Sequence, residues 1–331
     1  MIAGAGGHVV ACVGETMAAL VPTAAQPLET ADTLRVDVAG AESNVAMYLA
    51  DHGIPARWVS RLGDDAFGRR VARTVGEAGV DVSGVQFDPD RPTGLLFKDP
   101  DPDGTRVTYH RRGSAASAMG PDILDGAALR TATVWHFSGI TPALSPDCLA
   151  LTQAALASPR SGSGAGQAVV SFDVNYRPAL WPQPPGKLLR DLADRADIVF
   201  VGLDEARALW GPEVLTAADV RSLLPSPRIL VVKDGAAAAT AFDDHRATVV
   251  PARRIAVVEP VGAGDAFAAG FLAALLRGDA IERSLRLGHL TAASALAVTG
   301  DHGPLPAAEV RQRLLAADAA AWASSEPVRG V

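Results

Sequence analysis

The chain has 331 residues, of which 48% are hydrophobic and 20% charged, so it can bury a large core and wholesale disorder is not expected. Its net charge of −7 argues against a nucleic-acid partner, because a phosphate backbone requires a basic face. Small phosphate ligands are not excluded, since backbone N–H groups can bind them. The length suits one large domain with a small appendage, or two domains.

Cysteine content and hydropathy bear on the compartment. Cys12 and Cys148 lie far apart in apolar stretches, which predicts buried thiols and neither a disulfide nor a metal site. The N-terminus lacks the basic start of a signal peptide, and no apolar run approaches the length of a membrane span. We therefore expect a soluble, cytoplasmic protein with no membrane partner.

Short apolar runs alternate along the chain with amphipathic, alanine-rich segments. The predicted strands are His8–Val13, Ala56–Ser60, Thr133–Ser138, Ala168–Asp173, Asp197–Val201 and Arg228–Lys233. The predicted helices are Glu42–His52, Phe67–Ala78, Pro146–Leu156, Asp204–Trp210, Ala217–Leu224, Asp265–Arg277 and Ile281–Val298. Several strands are almost continuously apolar, as in sheets covered on both faces. This alternation predicts an α/β fold with a mostly parallel, doubly wound sheet.

Two stretches, 16–40 and 91–112, have short strand patterns with no helix between them. The Asp99–Gly104 segment is a strong turn signal, so a hairpin of Gly94–Lys98 with Arg106–Arg111 is expected. These stretches predict a small β-flap against the main sheet. Its exposed edge invites pairing with a second copy, so we expect a homo-oligomer.

The most informative segment for chemistry is Val261–Gly270, VGAGDAFAAG. An apolar, strand-like run, Ile255–Val258, precedes it, and a helix of small residues follows. A glycine turn at a helix N-terminus forms an anion site suited to phosphate oxygens. Asp265 at this place is either an N-cap or a general base for a hydroxyl that attacks phosphorus, and the segment alone leaves both open.

Two other nucleotide signatures carry less weight. Gly4–Gly7 resembles a dinucleotide fingerprint, but it precedes the first strand instead of following one, so an NAD-dependent enzyme is disfavoured. The chain contains no GxxxxGK[ST] pattern, so a P-loop is not expected.

Two stretches resemble the signatures of the ribokinase-like (PfkB) carbohydrate kinases. One is VEPVGAGDAFAAGFLAALL, and the other is GAESNVAMYLADHG followed by Trp58–Gly63, Asp64, Asp65 and Gly68. The resemblance implies a three-layer α/β/α sandwich in a single domain, 1–331, with a β-lid formed by roughly 16–40 and 91–112. It implies an ATP-dependent sugar kinase with Asp265 as general base. The implied anion hole is Gly262, Ala263 and Gly264.

The resemblance also implies how nucleotide and metal are held. Glu205 matches a glutamate associated with Mg²⁺ and phosphate, although Gly202 replaces the family's asparagine and Glu259-Pro260 replaces its Asp-Thr. The implied nucleotide contacts are Glu205, Lys233, Gly235 and His289. ATP and Mg²⁺ are the expected cofactors, and a monovalent cation is left open.

Within the family, the closer resemblance is to members that phosphorylate 2-keto-3-deoxygluconate at its C6 hydroxyl. It is carried by Val13–Met17, Val107–Ser117 and Phe172–Trp181. It implies that Tyr109, Arg111 and Arg177 contact the keto-acid end, and that Gly40 and Asn44 contact the sugar near the lid. Arginine suits a carboxylate because its planar fork binds both oxygens.

The residues alone allow other interpretations. Arg111 and Arg112 could form a solvated strand edge, and Arg177 a surface ion pair; the resemblance favours function for Arg111 and Arg177 only. Asn175 is either a substrate contact or a turn residue, and His136 is interpreted as core. The alternative functions are a kinase of the same fold for ribose, fructose or a nucleoside, and a non-catalytic sugar- or nucleotide-binding protein. Gluco and galacto epimers of the acid sugar are not distinguished.

Overall fold

The computed structural model describes residues 7–24, 26–101, 104–157, 168–244 and 246–323. The strands are β1 (Val10–Val13), β2 (Met17–Pro22), β3 (Leu34–Ala39), β4 (Ala56–Gly63), β5 (Asp81–Asp88), β6 (Leu95–Asp101), β7 (Gly104–His110), β8 (Val134–Ser138), β9 (Val169–Asp173), β10 (Ile198–Gly202), β11 (Ile229–Asp234), β12 (Ala238–Asp243) and β13 (Arg246–Pro251). The α-helices are α1 (Ala41–Asp51), α2 (Ala66–Glu77), α3 (Ala127–Arg130), α4 (Thr141–Leu144), α5 (Pro146–Ala157), α6 (Gly186–Ala193), α7 (Leu203–Trp210), α8 (Ala217–Leu223), α9 (Ala263–Leu276), α10 (Ile281–Leu296), α11 (Ala308–Leu315) and α12 (Ala319–Ala323). Short 3₁₀ turns occupy Leu28–Thr30, Ala115–Ala118, Pro121–Asp125 and Pro178–Leu180.

The main sheet has nine strands in the order β13-β12-β11-β10-β9-β8-β1-β4-β5. Neighbours from β11 through β5 pair in parallel, whereas β11, β12 and β13 pair antiparallel at one edge. The predicted mostly parallel, doubly wound sheet is confirmed. Sequence reasoning missed β5, β12 and β13, because none of them has the continuous apolar run of a strand covered on both faces. Strands β5 and β13 are the two edges of the sheet, and β12 lies between β13 and β11.

Helices cover both faces of this sheet. Alternate strand residues enter opposite cores. Phe200 belongs to the core that includes residues of α1, α2, α9 and α10, whereas Val199 and Val201 belong to the core that includes residues of α5, α6, α7 and α8. The predicted three-layer sandwich follows from this double coverage. Both cysteines are buried and free, as expected from their apolar surroundings. None of the helices within the described ranges is both long and apolar enough to span a membrane.

A second, four-stranded sheet has the order β3-β2-β6-β7. Its strands lie within the two stretches predicted to form a flap, and β6 pairs antiparallel with β7 as the predicted hairpin. The strand pairing extends further into the Asp99–Gly104 segment than predicted, since Asp99 pairs with Arg106 and Asp101 with Gly104. Met17, Ala19, Ala39 and Leu96 form a small apolar cluster within this sheet.

The segment before α9 differs from its prediction. Ile255–Val258 is not a strand, and the chain from 252 to 257 is irregular. Val257 and Val258 are more than half exposed, so this apolar run does not enter the core. Helix α9 begins at Ala263, two residues before the predicted start, because Gly262 is itself the N-cap of the helix.

Helices α9 and α10 pack so closely that Gly270 has no room for a side chain. A Cβ there would lie 2.3 Å from Thr291 Oγ1 and 2.6 Å from the Leu287 carbonyl oxygen. We expect Gly270→Ala to lower the free energy of unfolding by about 1–3 kcal/mol through overpacking, measured by urea denaturation. The matched control is Gly76→Ala in α2, where the nearest atom is an ordinary 3.6 Å away and helix propensity favours alanine. A Gly270→Ala protein as stable as wild type would contradict the packing argument.

Candidate active site

Asp265 is the third residue of α9, not its cap. The N-cap is Gly262, whose φ of 80° is left-handed, and a Cβ there would lie 2.8 Å from the Asp301 carbonyl oxygen. Glycine is therefore required on both counts. The alternative that Asp265 serves as an N-cap is wrong, and its carboxylate is free to bond elsewhere.

Two asparagine amides hold the Asp265 carboxylate. Asn44 Nδ2 donates to Oδ2 at 2.9 Å, and Asn175 Nδ2 donates to Oδ1 at 3.1 Å. The Asn175 backbone has a φ of 38°, and its N–H donates to Asp173 Oδ1 at 3.2 Å. Asn175 is thus both a turn residue and a site residue. Each carboxylate oxygen is fixed by one donor from a different segment of the chain.

Asp265 is buried, with 7% of the residue exposed. Burial raises its pKa to about 7, opposed by the Asn44 hydrogen bond and reinforced by the nearby Asp173 carboxylate. A carboxylate with this pKa can accept a proton near neutral pH, which is the property a general base needs.

A cavity of about 420 Å³ opens between the main sheet and the small sheet. The predicted residues that line it are Gly40, Asn44, Tyr109, Arg111, Asn175, Arg177, Glu205, Lys233, Gly262, Gly264 and Asp265. The small sheet contributes Met17, Ala39, Leu96, Lys98 and Val107. The residues predicted for the sugar and the base, together with Gly262 and Gly264 of the predicted anion hole, are therefore brought together in one space, whereas Ala263 is not among the lining residues.

Arg111 lies just beyond β7 with its side chain 10% exposed. Its Nε donates to Glu15 Oε2 at 2.6 Å, and Nη2 pairs with the same oxygen. Ser114 Oγ donates to the other Glu15 oxygen at 2.5 Å. The alternative of a solvated strand edge is wrong for Arg111, whereas Arg112 is exposed as predicted. Sequence reasoning did not identify Glu15 as a site residue. Its position just after β1 was a usable signal, because ligands bind at the ends of parallel strands.

Two further ion pairs lie on the other side of the cavity. Arg177 Nη1 is 3.6 Å from Glu205 Oε1, and Lys233 Nζ is 2.9 Å from Asp173 Oδ2. Arg177 has a side chain 49% exposed, so it is both an ion-pair partner and a cavity residue. Asp173 was not predicted as a site residue.

Another missed pair links the small sheet to the loop after α10. Lys98 Nζ is 3.2 Å from Asp301 Oδ1, with side chains 5% and 7% exposed. Asn44 Nδ2 also lies 3.5 Å from Asp301 Oδ2. The only signal in the sequence was the alternation of β6, which puts Lys98 on the same face as buried Leu96.

Gly235 and His289 do not line this cavity. Gly235 follows β11 with a φ of 47°. His289 lies within α10, its ring 5.1 Å from that of Phe267 and its Nε2 3.1 Å from the Val250 carbonyl oxygen. Burial lowers the His289 pKa to about 4. A nucleotide-binding role for both residues stays a prediction. His136 is buried in β8 against Ser171, as expected of a core histidine.

A metal would find few ligands here. Among the described residues, no group of three or more His, Cys, Asp or Glu side chains could hold an ion. Glu205 Oε2 accepts the Gly202 N–H at 2.9 Å, and its other oxygen faces Arg177. This donor set fits a Mg²⁺ ion that takes most of its ligands from phosphates and water.

The chain is similar to known proteins over most of its length. The model of the pfkB family carbohydrate kinases matches residues 8–308. A 2-dehydro-3-deoxygluconokinase of Thermoproteus tenax is 32% identical over 92% of this chain and 93% of its own, and a 2-dehydro-3-deoxygalactonokinase of Haloferax volcanii is 33% identical over 92% and 96%. The crystal structure of a PfkB protein from Polaromonas sp. JS666 has a TM-score of 0.77 and 37% identity, covering 94% of this chain and 100% of that one.

The sandwich and the small covering sheet place the fold in the ribokinase-like class of sugar kinases. The chain belongs to the pfkB family of carbohydrate kinases.

Proposed function

We propose that this kinase transfers the γ-phosphoryl group of ATP to the C6 hydroxyl of 2-keto-3-deoxygluconate. The observation that carries the proposal is Asp265, a buried carboxylate with a pKa near 7, held by two amides in a cavity that also presents two arginines. The names of two relatives, kinases of the gluco and galacto forms of a dehydro-deoxy sugar acid, support this substrate class.

The amides that hold Asp265 have free acceptors for the sugar. Asn44 Oδ1 and Asn175 Oδ1 are buried and have no hydrogen-bond partner within the described part of the chain. A buried acceptor left unpaired costs free energy, which a sugar hydroxyl would recover by donating to it. Each amide would then bridge the substrate and the base, so that binding the sugar aligns it with Asp265.

The keto-acid end would lie at Arg177, Arg111 and Tyr109. Arg111 uses Nε and Nη2 on Glu15, which leaves Nη1 for a substrate carboxylate. Arg177 lines the cavity with its side chain half exposed, so its guanidinium group can bind both oxygens of the substrate carboxylate. Gly40 would contact the sugar beside the small sheet, where a Cβ would lie 2.5 Å from the Glu15 carbonyl oxygen.

The phosphates would lie at the start of α9. Backbone N–H groups of Ala263, Gly264 and Asp265 are among the first N–H groups of that helix, which have no partner within it. They stabilise the charge of the phosphoryl group in transfer. Glu205 would hold Mg²⁺ indirectly, and the bound ion would offset phosphate charge. Gly235 and His289 are proposed to contact the nucleotide.

The small sheet is proposed to act as a lid that excludes water from the transfer. Its residues already line the cavity, and β3 and β7 are its edge strands. An unpaired edge favours association, so a homo-oligomer formed through the lid is part of the proposal.

The test is an ADP-release assay with Mg·ATP and both 2-keto-3-deoxy acids, ribose, fructose and adenosine. We expect turnover on the keto-deoxy acids, and Arg177→Ala to raise their KM about 10–100-fold, because a charged hydrogen bond is lost. The matched control is Arg112→Ala, which removes an exposed arginine one residue beyond Arg111. Turnover on fructose, ribose or adenosine that Arg177→Ala leaves unchanged would discard the acid-sugar substrate and keep the kinase.

A further inference from the structure

Lys233 reaches from the sheet edge to the start of α9. It lies near the end of β11, beside Gly202 of β10. Its Nζ donates to Asp173 Oδ2 at 2.9 Å. A Cβ placed on Gly264 would lie 3.3 Å from the same nitrogen, so the ammonium group lies against the first turn of α9. The side chain therefore points to the glycine turn.

The ammonium group is charged and open to the cavity. Burial by itself would lower the Lys233 pKa, but the carboxylates of Asp173 and Glu205 outweigh burial and raise it. The side chain is 18% exposed and lines the cavity. A compact cation beside a helix N-terminus suits an anion, whereas adenine is neutral and flat.

Asp173 is bonded both to the ammonium group of Lys233 and to the backbone of Asn175, which holds the base Asp265. Its Oδ2 accepts from Lys233, and its Oδ1 accepts the Asn175 backbone N–H, whose side chain bonds to Asp265. Asp173 is 2% exposed, so both bonds form in a poorly solvated place where charge interactions are strong. Asp173 therefore links the ammonium group of Lys233 to the asparagine that holds the Asp265 carboxylate.

We propose that Lys233 is a catalytic residue that contacts the oxygens of the phosphoryl group in transfer, with Asp173 as its positioning residue. The inference rests on the proposed kinase reaction. Asp265 takes the proton of the attacking hydroxyl as that oxygen bonds to the γ-phosphorus and the bond to the ADP oxygen breaks. Lys233 offsets the charge on the phosphoryl oxygens throughout, and it neither gains nor loses a proton.

Two neutral variants and one control test this role. We expect Lys233→Met and Lys233→Gln each to lower kcat about 100-fold, as when one donor to a transition-state anion is removed. Affinity for AMP-PNP, titrated without sugar, should fall about tenfold while affinity for ADP stays unchanged, because a charged hydrogen bond to the third phosphate is lost. The control is Lys187→Met on α6, whose lysine is 83% exposed and pairs only along the helix with Asp191.

Several results would overturn the role of Lys233. One is an equal loss of affinity for AMP-PNP and ADP, and another is wild-type kcat in either neutral variant. If Lys233→Met unfolds, Lys233→Gln decides, because its amide can still bond to Asp173 while the charge is gone. A wild type that binds AMP-PNP but phosphorylates none of the sugars would refute the proposed substrate, and the comparison of AMP-PNP with ADP would still test Lys233.

Discussion

We expect Asp265→Asn to lower kcat about 10²–10⁴-fold, which is the range that general-base catalysis contributes. The replacement amide has nearly the shape of the carboxylate but cannot accept the proton of the C6 hydroxyl. Because Asn44 and Asn175 donate to both oxygens, the variant also places an NH₂ group against one of these donors. The measurement is kcat on the keto-deoxy acid in the ADP-release assay, beside AMP-PNP affinity and thermal unfolding.

The control for this prediction is the pH profile of the wild type. With an Asp265 pKa of about 7, wild-type kcat should fall tenfold per pH unit well below 7, and that limb should be absent from the residual activity of Asp265→Asn. Affinity for AMP-PNP should be retained. Near-normal kcat in a folded variant would remove Asp265 from the role of base.

The second large effect concerns stability. The folded-state pKa of Asp265 is raised from 3.8 to about 7 by burial. Its contribution to folding is fully present below pH 3.8, and it is lost as the pH rises through 7, because the unfolded state ionises first. Three units correspond to about 4 kcal/mol. Asp265→Asn carries no such charge, so relative to wild type it should gain about 3 kcal/mol of unfolding free energy between pH 5 and pH 8.

The measurement is urea denaturation of both proteins at the two pH values. The difference between variant and wild type isolates residue 265, because other titrating groups are common to both. Asn44→Ala serves as the matched control, since it removes a donor and keeps the buried carboxyl, so its pH dependence should remain. A variant-minus-wild-type difference that is the same at pH 5 and pH 8 would show that the carboxyl is not buried as described.

The strands and helices of the sandwich could be predicted because their signals are local. A strand covered on both faces must be apolar at consecutive positions, as in β9 and β10, and a helix start needs a turn such as the one at Gly262. Strands β12 and β13 were not predicted because buried and partly exposed residues alternate along β12 and most of β13 is exposed, so neither has a continuous apolar run. The prediction of a strand at Ile255–Val258 was wrong because apolar residues also occur in exposed segments.

The sequence predicted part of the list of residues at the candidate site, without Glu15, Asp173, Lys98 and Asp301, and it did not predict the contacts among them. Asn44 was expected to contact sugar, and the structure adds its bond to Asp265, 221 residues away. Arg111 was expected to face a carboxylate of the substrate, and the structure shows it first bound to Glu15, 96 residues away. Neither spacing has a periodic signal in the chain.

The sequence by itself determined the class of fold, the glycine turn before α9 and the presence of an acid within that turn, because these depend on hydrophobic periodicity and backbone freedom over a few residues. Tertiary structure alone decided that Asp265 is not a cap, that its pKa is near 7, and that Lys233 lies against Gly264. These properties depend on which strand ends meet at one edge of the sheet and how much water remains there. Strand order and burial are set by the packing of the whole chain, and no local pattern specifies them.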